Sequence, residues 1–456
     1  MKVALVNPPL VKEKISRDMA GGLGFDATNQ ILLPPLDLAL LAATLKEKHQ
    51  VVIIDAEAEG LNQKQTAEKI IRWQTKVVIS NVSLPSLIDD CCFLKKLKKI
   101  NPKLKVIAKT SISYPQILKE ILKRSGADFC LWGEADLKID RIILGKTKES
   151  IAYFEGKKFI MGIDGKTKNL DKLPLPARGL LKNDRYRYPL LGNKMTIMQT
   201  SRGCPFPCAY YCPYPLVQGK VWRAMSPQRV ILEINDIVKN HKINRILFRD
   251  ATFSLDRNRT ISICEKIINS KLKIAWWCET RLNCLDEELL KLMKQAGCKG
   301  INIGVETGDP AVMEMQGKPG VSLAQLEKIK QITDKLKIKL HFLLLIGLPK
   351  ETRKSLLLTF KLIKRLKPYS LGVTVVTPYP GTQLYKDALK NKWIETQNWS
   401  RFSGGLSTMH TDNLSATEMK LAQKMLIAEL LFLEKGFWGQ LGLQLESLFF
   451  TLWAKI

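Results

Sequence analysis

The chain reads as an α/β protein: an amino-terminal doubly wound parallel sheet, then a partial barrel of six β/α units, then a helical carboxyl-terminal region. Three observations predict this. Short, β-branched and nearly all-apolar runs alternate with amphipathic stretches over residues 1–135. The same alternation resumes at about residue 193 and continues to 390. The polar residues and glycines gather where the apolar runs end, and such sheets bind their ligands at those ends.

In the first stretch the expected strands are Lys2–Val6, Val51–Asp55, Val77–Asn81, Lys105–Ala108 and Phe129–Trp132. The helices between them are Leu36–Lys48, Gln63–Gln74, Leu87–Ile100 and Pro115–Ser125. Residues 136–192 read as a connector. A hairpin over Ile151–Ile163 turns there at Glu155-Gly156, and Leu173-Pro174-Leu175-Pro176 is too stiff to continue a helix.

The second stretch, 193–390, predicts strands at Met195–Thr200, Arg245–Arg249, Ile274–Cys278, Gly300–Val305, Leu340–Ile346 and Leu371–Thr377. Helices are expected at Pro227–Asn240, Arg259–Asn269, Glu287–Ala296, Leu323–Leu336 and Lys354–Leu366. Residues 391–456 read as a helical region that grows apolar toward Leu448-Phe449-Phe450-Thr451-Leu452-Trp453. That end is expected to pack on the barrel, with contact to a membrane surface as the alternative.

Composition narrows the class. With 45% apolar residues and no run of eighteen, the sequence predicts a globular chain without a spanning helix. Its start, Met1-Lys2-Val3-Ala4-Leu5-Val6, lacks the pattern of a secretory signal, which places the protein in the cytoplasm. The net charge of +29 invites nucleic acid, anionic lipid or an acidic substrate. The lysines, however, interleave with apolar residues at helical spacing, as in Lys95-Lys96-Leu97-Lys98-Lys99, and read as solvated helix faces. Seven of the ten cysteines are scattered through apolar segments, as small buried residues are.

The other three stand in Thr200-Ser201-Arg202-Gly203-Cys204-Pro205-Phe206-Pro207-Cys208-Ala209-Tyr210-Tyr211-Cys212. Three thiolates on one tight loop can ligate three irons of a 4Fe–4S cluster and leave the fourth iron open. Structural zinc asks for four protein ligands, and His49, His241, His341 and His410 are all remote in sequence.

With these residues the chain resembles the radical S-adenosylmethionine (SAM) superfamily, whose signature is C-x-x-x-C-x-aromatic-C. It departs by one residue, since three residues separate Cys208 from Cys212, while Tyr211 keeps the aromatic. Further landmarks follow in order at strand ends: Arg249-Asp250, Gly304-Val305-Glu306-Thr307-Gly308, Gly347-Leu348-Pro349 and Thr377-Pro378-Tyr379-Pro380. The resemblance implies a 4Fe–4S cluster on Cys204, Cys208 and Cys212, with SAM chelating the open iron. It further implies reductive cleavage of SAM to a 5′-deoxyadenosyl radical that takes a hydrogen atom from the substrate. Tyr211, Asp250, Glu306 and Gly347 are the implied SAM-binding positions, and Arg281 is placed either to meet the SAM carboxylate or to form a surface salt bridge.

The amino-terminal sheet is similar to the cobalamin-binding domains that precede many radical SAM barrels. Asn7-Pro8-Pro9, Asp55, Ser80, Ser83, Gly133 and Glu134 carry that likeness and become the implied cobalamin contacts. Two departures accompany it. No D-x-H-x-x-G segment offers a histidine to cobalt, and Ala108-Lys109-Thr110-Ser111 stands where the family has G-G-P.

The expected activity is methyl transfer to an unactivated carbon of a small-molecule or lipid-like substrate, with a flavodoxin or ferredoxin as reductant. The alternative is a radical ring closure or rearrangement without methyl transfer. A tRNA-modifying sulfur insertase would need a second cysteine group, and a cobalamin sensor would need an output module; the sequence offers neither. The acidic pairs Asp89-Asp90 and Asp286-Glu287-Glu288 are expected to serve helix starts, and Trp276-Trp277 to lie in the core.

Overall fold

A computed structural model describes residues 1–11, 15–17, 25–26, 31–315 and 321–433. Two compact units divide the chain: Met1–Cys204 with Pro213–Leu247, and Pro205–Cys212 with Phe248–Ile456.

The first unit is built on a sheet of seven strands: β1 (Lys2–Asn7), β2 (Gln50–Asp55), β3 (Val77–Asn81), β4 (Lys105–Lys109), β5 (Phe129–Leu131), β6 (Ile151–Glu155) and β7 (Lys158–Met161). Their order is β2-β1-β3-β4-β5-β6-β7, parallel as far as β5. The all-apolar runs are strands buried on both faces, with Val3–Val6 and Val77–Ile79 almost fully enclosed. The predicted hairpin forms β6 and β7, but it does not stand apart as a connector. It pairs antiparallel with β5 and so occupies the backbone groups of an otherwise open sheet edge.

The strand order reverses between β1 and β3, the place where doubly wound sheets take their ligands. Register sets Asn7 level with Asp55, Val6 with Ser80, and Asn81 with Lys109. Asp55, Asn7, Asn81 and Lys109 therefore end four neighbouring strands on one face, while Ser80 lies on the other. This unit also carries β8 (Thr196–Met198), β9 (Ser201–Arg202), β10 (Arg223–Ala224), antiparallel to β9, and the start of β11 (Arg245–Phe248).

The second unit holds β12 (Ala275–Thr280), β13 (Cys298–Glu306), β14 (Lys339–Ile346) and β15 (Ser370–Val375), each parallel to the next. Ile301, Ile303, Leu340, Phe342, Leu344 and Ile346 are buried on one face. Trp276 packs against the rings of Phe248 and Phe253, and Trp277 lies over Gly300, where a Cβ would stand 2.3 Å from its ring. Both tryptophans are core, as expected.

The intervening helices start where the sequence supplies caps. Asp256, Asp286, Ser322 and Thr352 each accept a backbone N–H from three residues on. Asp286 thus serves its helix, as expected. Asp286→Ala should lower stability by about 1 kcal/mol while Asp286→Asn changes it little, which denaturant midpoints will check.

Asp90 behaves otherwise. It is fully buried, and Arg17 Nη2 donates to it at 2.7 Å; Ser86 Oγ also donates to it. Helix-start proximity in sequence did not disclose a buried ion pair. The carboxyl-terminal region is helical only from Ala416: residues 391–415 hold one bridge, Ile394 to Met409, and a short turn at Trp399–Arg401. Helix Ala416–Leu433 packs on β15, where Gln423 Nε2 donates to Val373 O at 2.8 Å. The apolar end at Leu448–Trp453 lies outside the described residues. Among the described residues no helix is long and apolar enough to cross a membrane. Cys91, Cys130, Cys264, Cys278 and Cys298 are buried, and burial pushes their thiols well above the ordinary range, so they are inert core residues.

Candidate functional site on the cysteine loop

Prolines and a glycine keep the cysteine segment from becoming a helix, and it folds as a short 3-10 turn, Pro207–Tyr210. Cys212 N–H then reaches back to Cys208 O at 3.2 Å. That bond closes one turn across the widened gap between Cys208 and Cys212. Cys204 stands four residues before Cys208, and its N–H donates to Gly219 O at 3.0 Å within the first unit. Cys204 and Cys208 are buried and Cys212 is half-buried. Among the described residues no three His, Cys, Asp or Glu side chains gather tightly enough for a single metal ion. Three irons of a cluster ask instead for three separate thiolates.

Within the second unit the loop meets several of the expected residues. Arg281 sets its guanidinium 3.7 Å from the Phe206 ring centroid and places Nη1 3.9 Å from Cys208 Sγ. Its Nη2 is buried and has no hydrogen-bond partner. An orphaned donor beside a cysteine sulfur fits an anionic occupant, either a thiolate-bound cluster or the carboxylate of SAM. The surface salt bridge offered as the other reading of Arg281 does not form among the described residues.

Tyr211 and Cys208 share an apolar cluster with Val312, Leu348, Val376, Leu384 and Trp393. Burial, with Glu306 and the two thiols nearby, holds the Tyr211 phenol far above its ordinary range, so it stays protonated. Glu306 is buried and adopts a positive φ of 66° at the end of β13, where the register with β14 shifts. A non-glycine residue in that conformation is strained, and strain of this kind concentrates at functional sites.

Gly347 has a φ of 90°, and a Cβ there would lie 2.4 Å from Met419 Sδ. Its N–H donates to Glu351 Oε2 at 2.6 Å, and burial raises the Glu351 carboxyl to about 8. Asp250 is fully buried next to Arg249, whose Nη1 donates to Glu279 Oε1 at 2.7 Å. Glu279 also accepts from Asn302, which accepts the Trp277 indole N–H at 2.6 Å. Sequence reasoning missed Asn302, Phe206 and Glu351. Asn302 sits inside an apolar run, and its polarity there is the one signal that was readable.

The implied cobalamin contacts of the first unit are mostly engaged with protein. Asn7 Nδ2 donates to Asp55 Oδ1 at 2.9 Å, and Asp55 accepts Tyr186 Oη–H at 2.9 Å. Pro8 O accepts from Arg17, and Ser83 bonds Ser86 and Asp90. Lys109 forms an ion pair with Asp37. A cavity of about 480 Å³ opens beside this network, lined by Pro9, Leu10, the Ala56–Leu61 segment, Arg185 and Arg187. Ser80 Oγ is buried without a hydrogen-bond partner, a group that a polar ligand would satisfy. Gly133, at φ 65°, makes room for Asp164, and Glu134 is held by arginines.

The sequence model of the Radical SAM superfamily matches residues 198–363. An uncharacterized methyltransferase of Pyrococcus horikoshii is 31% identical over 422 residues, covering 88% of this chain and 86% of its own. The chain belongs to the radical SAM superfamily. The anaerobic magnesium-protoporphyrin IX monomethyl ester cyclase of Rubrivivax gelatinosus is 26% identical, covering 85% of this chain and 71% of its own. Among solved structures, the radical SAM methyltransferase TsrM from Kitasatospora setae, with tryptophan and a SAM analogue bound, superposes with a TM-score of 0.67 at 14% identity. That match covers 86% of this chain and 76% of that one, and the two share the fold. The described residues of this radical SAM enzyme are α/β, with sheets that run parallel apart from the antiparallel β6–β7 hairpin and short strand pairs.

Proposed function

We propose that this radical SAM enzyme is a cobalamin-dependent methyltransferase acting on an unactivated carbon of a small-molecule or lipid-like substrate. The observation that carries the reading is the 31% identity with a methyltransferase along nearly the whole chain, sheet and barrel together. The cavity beside Pro9 and the Ala56–Leu61 segment and, separately, the unpartnered hydroxyl of Ser80 support a cofactor at the amino-terminal sheet.

When bound, a 4Fe–4S cluster supplies the electron for reductive cleavage of SAM, and cobalamin supplies a carrier for the methyl group. The chain's own residues do the rest. Cys204, Cys208 and Cys212 hold the cluster, and the Arg281 guanidinium favours anionic charge beside Cys208. Glu306 and Asp250 are carboxyls for the SAM ammonium. Leu348, Val376, Leu384 and Trp393 exclude water around the loop, and a protonated Tyr211 keeps that wall neutral. A flavodoxin or ferredoxin is the proposed reductant, the cytoplasm the proposed compartment, and peripheral membrane contact through the apolar tail accompanies the lipid-like substrate.

The second reading is a radical ring closure, favoured by the 26% identity with an anaerobic cyclase over 85% of this chain. Oxygen-free reconstitution with iron, sulfide, SAM and cobalamin, with dithionite as the electron source, separates the two. Methyl transfer predicts S-adenosylhomocysteine and 5′-deoxyadenosine in equal amounts, with cobalamin retained. Formation of 5′-deoxyadenosine alone, with no cobalamin bound, would replace it with ring closure.

A further inference from the structure

The radical chemistry asks that Cys204 be held still, and the structure shows how its end of the loop is tied down. Strand β9 (Ser201–Arg202) pairs antiparallel with β10 (Arg223–Ala224), so Arg202 and Arg223 stand opposite one another, two and nineteen residues from Cys204 in the chain. Between them Cys204 N–H bonds Gly219 O, and Gly203 N–H bonds Gln218 Oε1 at 3.3 Å. Gly203 has a φ of 90°, and a Cβ on it would lie 2.1 Å from Val221 O. The backbone of Gly203 and Cys204 is thus in close contact with the segment that leads into β10.

The two arginines converge on one carboxylate. Glu134 Oε2 accepts from Arg202 Nη1 at 3.0 Å and from Arg223 Nη1 at 2.9 Å, and Oε1 accepts from Arg223 Nη2. Thr167 N–H adds a fourth bond, to Oε2 at 3.0 Å. Asp136 takes Arg202 Nη1 at 2.6 Å, and Arg223 further donates to Thr167 O and Gln218 O. The side chains of Arg202, Glu134, Asp136 and Arg223 are between 8% and 11% exposed, so two cations and two anions balance away from water. Glu134 is itself fixed, its N–H donating to Asp164 Oδ1 at 3.1 Å and its carbonyl accepting from Ser150 Oγ. Buried charge pairs of this geometry define a single arrangement, because any other leaves a guanidinium unpaired.

We infer that Glu134 is a positioning residue for the iron–sulfur cluster: by clamping Arg202 to Arg223 it fixes the base of the loop that presents Cys204. This differs from the role of cobalamin contact that resemblance implies, since both carboxylate oxygens are already committed to protein donors. The inference rests on the reading of Cys204, Cys208 and Cys212 as cluster ligands. With Glu134 neutral, Arg202 would keep Asp136 while Arg223 would keep only the carbonyls of Thr167 and Gln218, and the strand pair that carries Cys204 would lose its fixed register. Residues that orient metal ligands without touching the metal typically change metal affinity by 10–100-fold when removed.

The test is reconstitution of the whole chain without oxygen, as wild type, Glu134→Gln, Glu134→Asp and Glu134→Ala, with iron, sulfide, cobalamin and SAM. Iron per chain, release of iron to a chelator, the paramagnetic resonance of the reduced cluster before and after SAM, and bound cobalamin are read from each sample. Circular dichroism of the metal-free proteins confirms folding, and Glu134→Gln, the isosteric change, serves if Glu134→Ala does not fold. Glu134→Gln is expected to release iron at least about tenfold faster and to broaden the resonance. Glu134→Asp, which keeps the charge, is expected to recover part of the loss, and cobalamin binding is expected to hold. A folded Glu134→Gln with wild-type iron release and resonance would overturn the inference, as would loss of cobalamin with the cluster intact. Failure of wild type to load iron would instead remove the cluster reading on which this rests, and so marks a different failure.

Discussion

Cys208→Ala is expected to abolish the cluster and with it the reductive cleavage of SAM. Cys208 is buried on the 3-10 turn, it shares an apolar cluster with Tyr211 and Leu348, and the Arg281 guanidinium stands 3.9 Å from its sulfur. Removing it takes one of three thiolates and deprives Arg281, already carrying an unpartnered Nη2, of the sulfur beside its Nη1. Residues that merely support a metal ligand cost 10–100-fold, so loss of the ligand should lower SAM cleavage by more than about 100-fold. The measurement is 5′-deoxyadenosine formed under dithionite, beside iron content and the visible absorption of the cluster. Wild-type 5′-deoxyadenosine formation by a colourless Cys208→Ala protein would end the assignment.

Glu351→Gln should change how stability depends on pH. The Glu351 carboxyl is fully buried, and burial raises it to about 8, against roughly 4.3 in the unfolded chain. Between those values the folded state holds a proton that the unfolded state has lost. Stability therefore falls as pH rises through this window, by up to about 1.4 kcal/mol per pH unit, and levels off above pH 8. Glutamine keeps a carbonyl to accept the Gly347 N–H and cannot ionise. The variant should match wild type near pH 4 and exceed it by several kcal/mol at pH 8.5, as read from denaturant midpoints. Glu57, which burial also lifts to about 8 despite the Arg17 guanidinium, keeps a similar slope in both proteins, so the difference between them isolates Glu351. A variant less stable than wild type at high pH would show that the ionised carboxylate, not the neutral acid, holds the Gly347 turn.

The alternation of apolar and amphipathic runs determined most elements of this protein to within a residue or two, because period-2 and period-3.6 burial are local properties. Helices Leu87–Ile100 and Pro115–Ser125 and strand Val77–Asn81 form at the expected bounds. The cysteine loop was legible as a candidate site for a similar reason: Cys204, Cys208 and Cys212 lie within nine residues, and three thiolates with no histidine nearby in sequence suit a cluster better than structural zinc. What the sequence could not decide was which distant groups meet. Asp90 looked like a helix-start carboxylate and is a buried partner of Arg17, seventy-three residues away. Glu134 looked like a cofactor contact and is spanned by two arginines sixty-eight and eighty-nine residues on. Arg281 had two readings, and only the folded chain shows it over Phe206 and beside Cys208. The backbone strain at Glu306 has no signature in residue type at all. Charges and strain are settled by three-dimensional neighbours and by the low dielectric around them, and those exist only once the chain has folded.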